Sequence, residues 1–273
     1  MNRFLRLFRF GNGIMGILGV LVGAFIAVGF DIGDHVQNLI ISCGVILAFM
    51  AGGNSLNDYI DIEIDRTAHP ERPLPMGEIA PNTARIIGIS GIVIACLLSI
   101  AMMSVIVTAV VVIAAALMVS YELFLKQRGF IGNITIAVLT GMIFLFGGAV
   151  VGNIEGNVII AAMAALVSIG REIAKDIQDM SSDEGRNTLP MMIGVKKASI
   201  VAAVFFILGP VLSIWPLIDQ SFGWLYCIVF VADALFIYSA FIIFRKADVS
   251  QKTAKIAMFI ALIAFVLGVI QWT

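Results

Sequence analysis

Charge is what this chain has least of: 13% of its 273 residues are Asp, Glu, Lys or Arg, 60% are hydrophobic, and the mean hydropathy is +1.05. That balance excludes an ordinary soluble domain. With a formal net charge of −1 there is no basic excess, so no nucleic-acid partner is expected. Histidine is almost missing: His35 lies in a short polar loop and His69 in "TAHPERPLP", and both read as loop residues. The three cysteines, Cys43, Cys96 and Cys227, sit singly inside apolar segments. They have no metal-ligand spacing and read as small core residues. Neither a P-loop nor a dinucleotide fingerprint is present. No low-complexity segment or separate soluble domain is visible. The N-terminal "MNRFLRLFRFGNG" has no small-residue cleavage site after it and reads as an amphipathic basic lead-in on a membrane surface.

What fills the chain instead is apolar runs of about 20 residues, the length that crosses a bilayer as a helix. Nine are read, near 12–30, 37–57, 83–103, 104–121, 131–152, 158–178, 197–218, 222–244 and 253–272. The break between the third and fourth, in "SIAMMSVIV", is the weakest. Laying the nine out alternately puts all 17 Lys and Arg at one face, and the opposite loops "DIGDHVQN", "NIEGN" and "PLIDQSFG" hold none. The positive-inside rule then predicts a multi-pass protein of the cell membrane. Its N-terminus and charged loops are cytoplasmic and its C-terminus is outside. An eight-span layout breaks the charge pattern. The expected fold class is an all-α integral membrane protein of nine transmembrane helices. The two long charged loops lie four spans apart, which suggests one domain of two four-helix halves, 12–121 and 131–244, plus a ninth helix at 253–272.

The acids are concentrated where those two loops begin. "NSLNDYIDIEIDRTAHPERPLP" carries five acidic side chains between Asp58 and Glu71. If the second helix continues through it, Asn54, Asn57, Asp58, Asp61 and Asp65 share an arc of about 120°. "REIAKDIQDMSSDEGRNTLP" places Glu172, Lys175, Asp176, Asp179 and Asp183 on an arc of about 100° by the same rule. Stacked like charges are destabilising, and ionised groups in a membrane segment are costly. Oxygen ligands without His or Cys suit a hard cation, and Mg²⁺ is usually held by one or two carboxylates plus substrate phosphates. Two facing columns would hold two Mg²⁺ ions bridged by a diphosphate, with Arg66, Arg72, Lys126, Arg128, Lys175 and Arg186 neutralising the remaining charge. The bland alternative is a pair of solvated helix ends. Glu63, Glu71, Glu78 and Glu184 read as surface residues under either view.

The paired motifs "NDYIDIEID" and "KDIQDMSSD", each closing a membrane helix and followed by "RPLP" and "TLP", resemble the UbiA superfamily of intramembrane prenyltransferases. The resemblance covers nearly the whole chain and implies a horseshoe of nine helices around a central cavity. It implies that Asn57, Asp61, Asp65, Asp176, Asp179 and Asp183 bind Mg²⁺ and, through it, a prenyl diphosphate. It further implies diphosphate contacts from Arg72, Lys126 and Arg128, with Tyr121 at the cavity edge. The spacing in "DEGRNTLP" is shorter than in most members, which puts the contribution of Arg186 in question. "FLKQRGFIGNITIAVLTGMIFLFGG" with "REIAKDIQD" is most similar to members that build archaeal ether lipids. This implies transfer of a geranylgeranyl group from its diphosphate to the free hydroxyl of geranylgeranylglyceryl phosphate, a lipid-like acceptor. An aromatic acceptor is the alternative, and a cation-coupled transporter a more distant one.

Overall fold

In the computed structural model, residues 2–180 and 187–270 are described. The apolar runs form helices because in a bilayer core each backbone N–H and C=O must find its partner within the segment. The crossing helices are α1 (Phe10–Val28), α2 (Val36–Ile60), α3 (Pro81–Ala101), α4 (Val105–Ser120) and α5 (Phe130–Val150). After them come α6 (Val158–Asp179), α7 (Val195–Ser213), α8 (Val229–Ile242) and α9 (Ala247–Ile270).

Eight helical stretches among the described residues are long and apolar enough to cross a membrane, and the first, Phe10–Ile60, holds 51 residues. At 1.5 Å per residue it would run about 76 Å as one rod, more than twice the hydrocarbon thickness. It folds back instead, through a 3-10 turn at Gly29–His35, into α1 and α2. Gly29 takes φ +60, open to a residue without Cβ. Among the described residues nine helices are therefore placed to cross, matching the nine apolar runs. The weak break is a real turn: Met103 adopts φ 52, and the Ser104 hydroxyl accepts from the Val107 N–H at 3.4 Å to start α4.

Helices pack mainly on their sequence neighbours. One buried apolar cluster runs through α5 to α9, and a second joins α1, α2, α3 and α4 to the far end of α5. α2 and α3 touch backbone to backbone. A Cβ on Gly91 would lie 2.8 Å from the Gly52 Cα, and one on Gly52 would lie 2.8 Å from the Ile92 nitrogen. α1 meets α5 as closely at Gly147, and the buried Asn157 amide ties both together by donating to the Gly23 and Phe144 carbonyls at 2.8 and 2.6 Å.

The basic lead-in does more than lie on a surface. Arg3–Leu7 is a short helix whose Leu7 is fully buried against Leu74, Ile79 and Ala84 of the first charged loop and the start of α3. Arg6 pairs with Glu78 of that loop. The N-terminus is thereby anchored beside the end of α2, where the acids lie.

Candidate active site

α2 ends at Ile60, and Asp61 bends the chain (φ −89, ψ 8) before the short helix Ile62–Ala68. The helical path nonetheless continues, because the Asp61 N–H donates to the Asn57 carbonyl at 2.9 Å and the Asp65 N–H to the Asp61 carbonyl at 2.8 Å. Asn57, Asp58, Asp61 and Asp65 therefore stay on one side. The three aspartates are 1%, 3% and 2% exposed, which is decisive against a solvated helix end. Glu63 faces away and pairs with Arg66 at 3.0 Å on the surface.

Carboxylates this buried need nearby positive charge. Arg72 donates to Asp65 Oδ2 at 2.6 Å and lies 3.5 Å from Asp58 Oδ1. Arg9, held in a left-handed conformation at the start of α1 (φ 47), donates to Asn57 Oδ1 at 2.9 Å and Asp58 Oδ1 at 2.6 Å. Lys126 Nζ is 2.5 Å from Asp61 Oδ1 and 3.0 Å from Glu122 Oε2. The Asn57 amide closes the set by donating to Asp61 at 3.2 Å and to Glu122 at 3.0 Å.

Local backbone geometry explains Lys126. From Tyr121 to Leu125 the end of α4 widens into a π turn, and the Lys126 N–H donates five residues back, to the Tyr121 carbonyl, at 3.0 Å. Such turns recur at functional positions. This one carries Glu122 and Lys126, both buried, to the acids of α2. Tyr121 itself is half-buried at the turn's start.

Seven residues after Lys126, the same strip of chain reaches the second cluster. Asn133, in the first turns of α5, donates from Nδ2 to Asp176 Oδ2 of α6 at 2.8 Å. Its Oδ1 is buried with no hydrogen-bond partner among the described residues. Asp176 and Asp179 are half-buried at the end of α6, and Glu172, one turn deeper, pairs with Arg171. Lys175 and Arg128 are exposed nearby in sequence, on α6 and on the turn before α5. Asp183 and Arg186 lie outside the described residues.

No three His, Cys, Asp or Glu side chains among the described residues converge as a ready-made metal cage. The donor chemistry still fits Mg²⁺, since every candidate ligand is an oxygen and this ion keeps several positions for water and phosphate. The orphaned Asn133 Oδ1 beside Asp176 also fits, because a buried lone pair without a partner is costly unless something binds there.

Arg9, Glu122 and Asn133 escaped the sequence reading. Glu122 had a usable signal, an acid in the apolar run "MVSYELFLK" four residues before a lysine. Arg9 and Asn133 had none, because their partners lie 48 and 43 residues away.

Residues 16–263 match the UbiA prenyltransferase family. The chain belongs to that family. This UbiA protein is a prenyltransferase of the membrane, and membership leaves the transporter reading without support. It is 34% identical to the digeranylgeranylglyceryl phosphate synthase of Methanosphaera stadtmanae, over 98% of this chain and 99% of that one. It is 37% identical to the synthase of the same name from Thermococcus kodakarensis, over 93% of each. A solved digeranylgeranylglyceryl phosphate synthase structure superposes with a TM-score of 0.85 at 34% identity, covering 98% of both chains. A UbiA homologue from Archaeoglobus fulgidus, bound to DMAPP and Mg²⁺, shares the fold at 16% identity with a TM-score of 0.71 and full coverage of both.

Proposed function

We propose that this UbiA protein transfers a geranylgeranyl group from its diphosphate to the free hydroxyl of geranylgeranylglyceryl phosphate, with Mg²⁺ as cofactor, in the synthesis of archaeal ether lipids. The observation that carries this reading is the pair of carboxylate sets joined by segment 121–133, within a chain that matches synthases of this name nearly end to end. Asn57, Asp61 and Asp65 would hold the metal on one side, and Asp176, Asp179 and Asp183 on the other. Bound Mg²⁺ supplies positive charge against the diphosphate. Arg72 and Lys126, now on Asp65 and Asp61, can turn to phosphate oxygens, where charge-assisted bonds stabilise the leaving group. Arg128, Lys175, Arg186 and Tyr121 complete the proposed diphosphate contacts.

In the reaction the bond between the allylic carbon and the diphosphate oxygen breaks, and its electron pair leaves with the diphosphate. The acceptor hydroxyl oxygen bonds to that carbon, and its proton passes to an oxygen of an aspartate or of the released diphosphate. Water must be kept from the cationic carbon. Apolar side chains deeper in the bundle, among them Phe144, Met163 and Phe265, line a cavity that would take up part of the isoprenoid tail. By the positive-inside rule the N-terminus and the active-site loops face the cytoplasm and the C-terminus the outside.

The test is purified protein in lipid nanodiscs with Mg²⁺, labelled geranylgeranyl diphosphate and a panel of acceptors. The expected product is the second ether on the glyceryl phosphate, lost on chelation with EDTA. Prenylation of an aromatic acceptor with no ether product would overturn the assignment.

A further inference from the structure

We infer that Ser168, Arg171 and Glu172 form the seat for the polar head of the acceptor lipid, its glyceryl phosphate. The inference rests on the proposed reading, in which that lipid supplies the attacking hydroxyl, and it names where the head sits. At 100° per residue the three side chains share an arc of about 100° on α6. Asp179 falls within the same arc, so the trio continues the second acidic column into the bundle. Glu172 is four residues before Asp176, about 6 Å deeper along the helix. Deeper still, Ala164 and Val167 of α6 line an apolar cavity together with Phe144 of α5 and Phe265 of α9. Arg171 follows those two by seven and four residues and so shares their face.

Ionisable groups at this depth of a crossing helix are costly, and those that occur mark substrate paths. The protein also leaves this set incompletely satisfied. Arg171 pairs with Glu172, its neighbour in sequence, yet its Nε is buried with no hydrogen-bond partner among the described residues. The hydroxyl of Ser168, a residue 1% exposed, is buried in the same state. Each such unmade bond carries a desolvation cost unless something binds there. Helix packing does not use this face for α7, which closes on the far side of α6, where a Cβ on Gly170 would lie 3.0 Å from the Ala202 carbonyl.

The unmet groups are two donors, the Arg171 Nε–H and the Ser168 hydroxyl, beside one acceptor, the Glu172 carboxylate. Phosphate oxygens suit the first two, and a free hydroxyl suits the third. A glyceryl phosphate carries both, on adjacent carbons, whereas an isoprenoid tail carries neither. The allylic carbon is the first atom on the tail side of the diphosphate. The attacking hydroxyl therefore has to come from just beneath the acids, at the level of Glu172. Seated there, the phosphate lies on the Arg171 guanidinium and Ser168, and the hydroxyl beside it donates to Glu172.

The test measures transfer from geranylgeranyl diphosphate, in nanodiscs with Mg²⁺, to two acceptors: geranylgeranylglyceryl phosphate and geranylgeranylglycerol, which lacks the phosphate. The parent protein is expected to favour the phosphate. Arg171→Gln is expected to lower the phosphate-to-alcohol ratio of kcat/KM by about tenfold or more, chiefly through KM for the phosphate, with KM for the donor unchanged. Arg171→Lys, which keeps the charge without the planar fork, is expected to recover part of that ratio. Glu172→Gln is expected to lower transfer to both acceptors and leave the ratio where it was. A purely structural role for Arg171 would instead lower both acceptors alike and leave the ratio fixed. Should Arg171→Gln fail to fold because Glu172 is stranded, Arg171→Gln combined with Glu172→Gln removes the stranded charge and is read in the same way. An unchanged ratio in the foldable variant, a fully active Glu172→Gln, or a parent that uses both acceptors equally would overturn the inference. Failure of the parent to make the ether on either acceptor would overturn the proposed function instead.

Discussion

Lys126→Met tests whether the buried lysine is the counter-charge of the first acidic set. The side chains of Lys126, Asp61 and Glu122 are 6%, 4% and 4% exposed, so water screens none of the contacts at 2.5 and 3.0 Å. Removing one member of a buried ion pair costs about 3–5 kcal/mol, because the remaining charge is left without compensation. Two carboxylates are stranded here, but the Asn57 amide still donates to both, so the low end, about 3 kcal/mol, applies. At roughly 2–4 °C per kcal/mol for a chain of this size, melting falls by about 6–12 °C. Thermal unfolding in detergent can be followed with a thiol dye, because Cys43 and Cys96 are half-buried and react as the bundle opens, over a baseline from the exposed Cys227. Adding Glu122→Gln to the Lys126→Met variant removes one of the stranded charges and is expected to restore part of the loss. If Lys126→Met melts with the parent, or Glu122→Gln lowers it further, the electrostatic account of this site is refuted.

Asp61→Ala and Asp179→Ala are each expected to abolish transfer while the protein still purifies as a folded membrane protein. Retention of most activity by either would count against a site built from both clusters. Arg9→Ala removes the donor shared by Asn57 and Asp58 and is expected to cost about 1.5–3 kcal/mol of stability, with partial recovery in Arg9→Lys, both measured by the same thermal assay. Gly91→Leu forces a side chain into the backbone contact of α2 and α3, where a Cβ already meets Ala48 O at 2.8 Å. It should destabilise by about 1–3 kcal/mol or more, with reduced yield from membranes.

The sequence made the first acidic column far more legible than the groups that surround it. Phasing along one helix is fixed by 100° per residue, and Asn57, Asp58, Asp61 and Asp65 do share a face, even across the bend at Asp61. The turn at Met103 was visible only through charge parity, since nothing polar but Ser104 marks it. The Lys126 contact with Asp61 depends on two facts that periodicity cannot supply: a π turn that resets the helical phase, and a tertiary contact spanning 65 residues. Asn133 is hidden for the second reason alone. The N-terminal helix shows a different limit. Its alternation of Arg with Leu and Phe marks an apolar face, but only the fold reveals that Leu7 buries this face against Leu74 and Ile79.

Four carboxylates, of Asp58, Asp61, Asp65 and Glu122, stand here against three cations, Arg9, Arg72 and Lys126. Such a centre brings its own counter-ions. A bare divalent cation arriving alone has to compete with three tethered bases for the oxygens, and a bare diphosphate has to approach four acids. On the proposed reading, a metal and a diphosphate arriving together would each take one half of an existing ion pair, so the centre would admit the two jointly more readily than either ion singly.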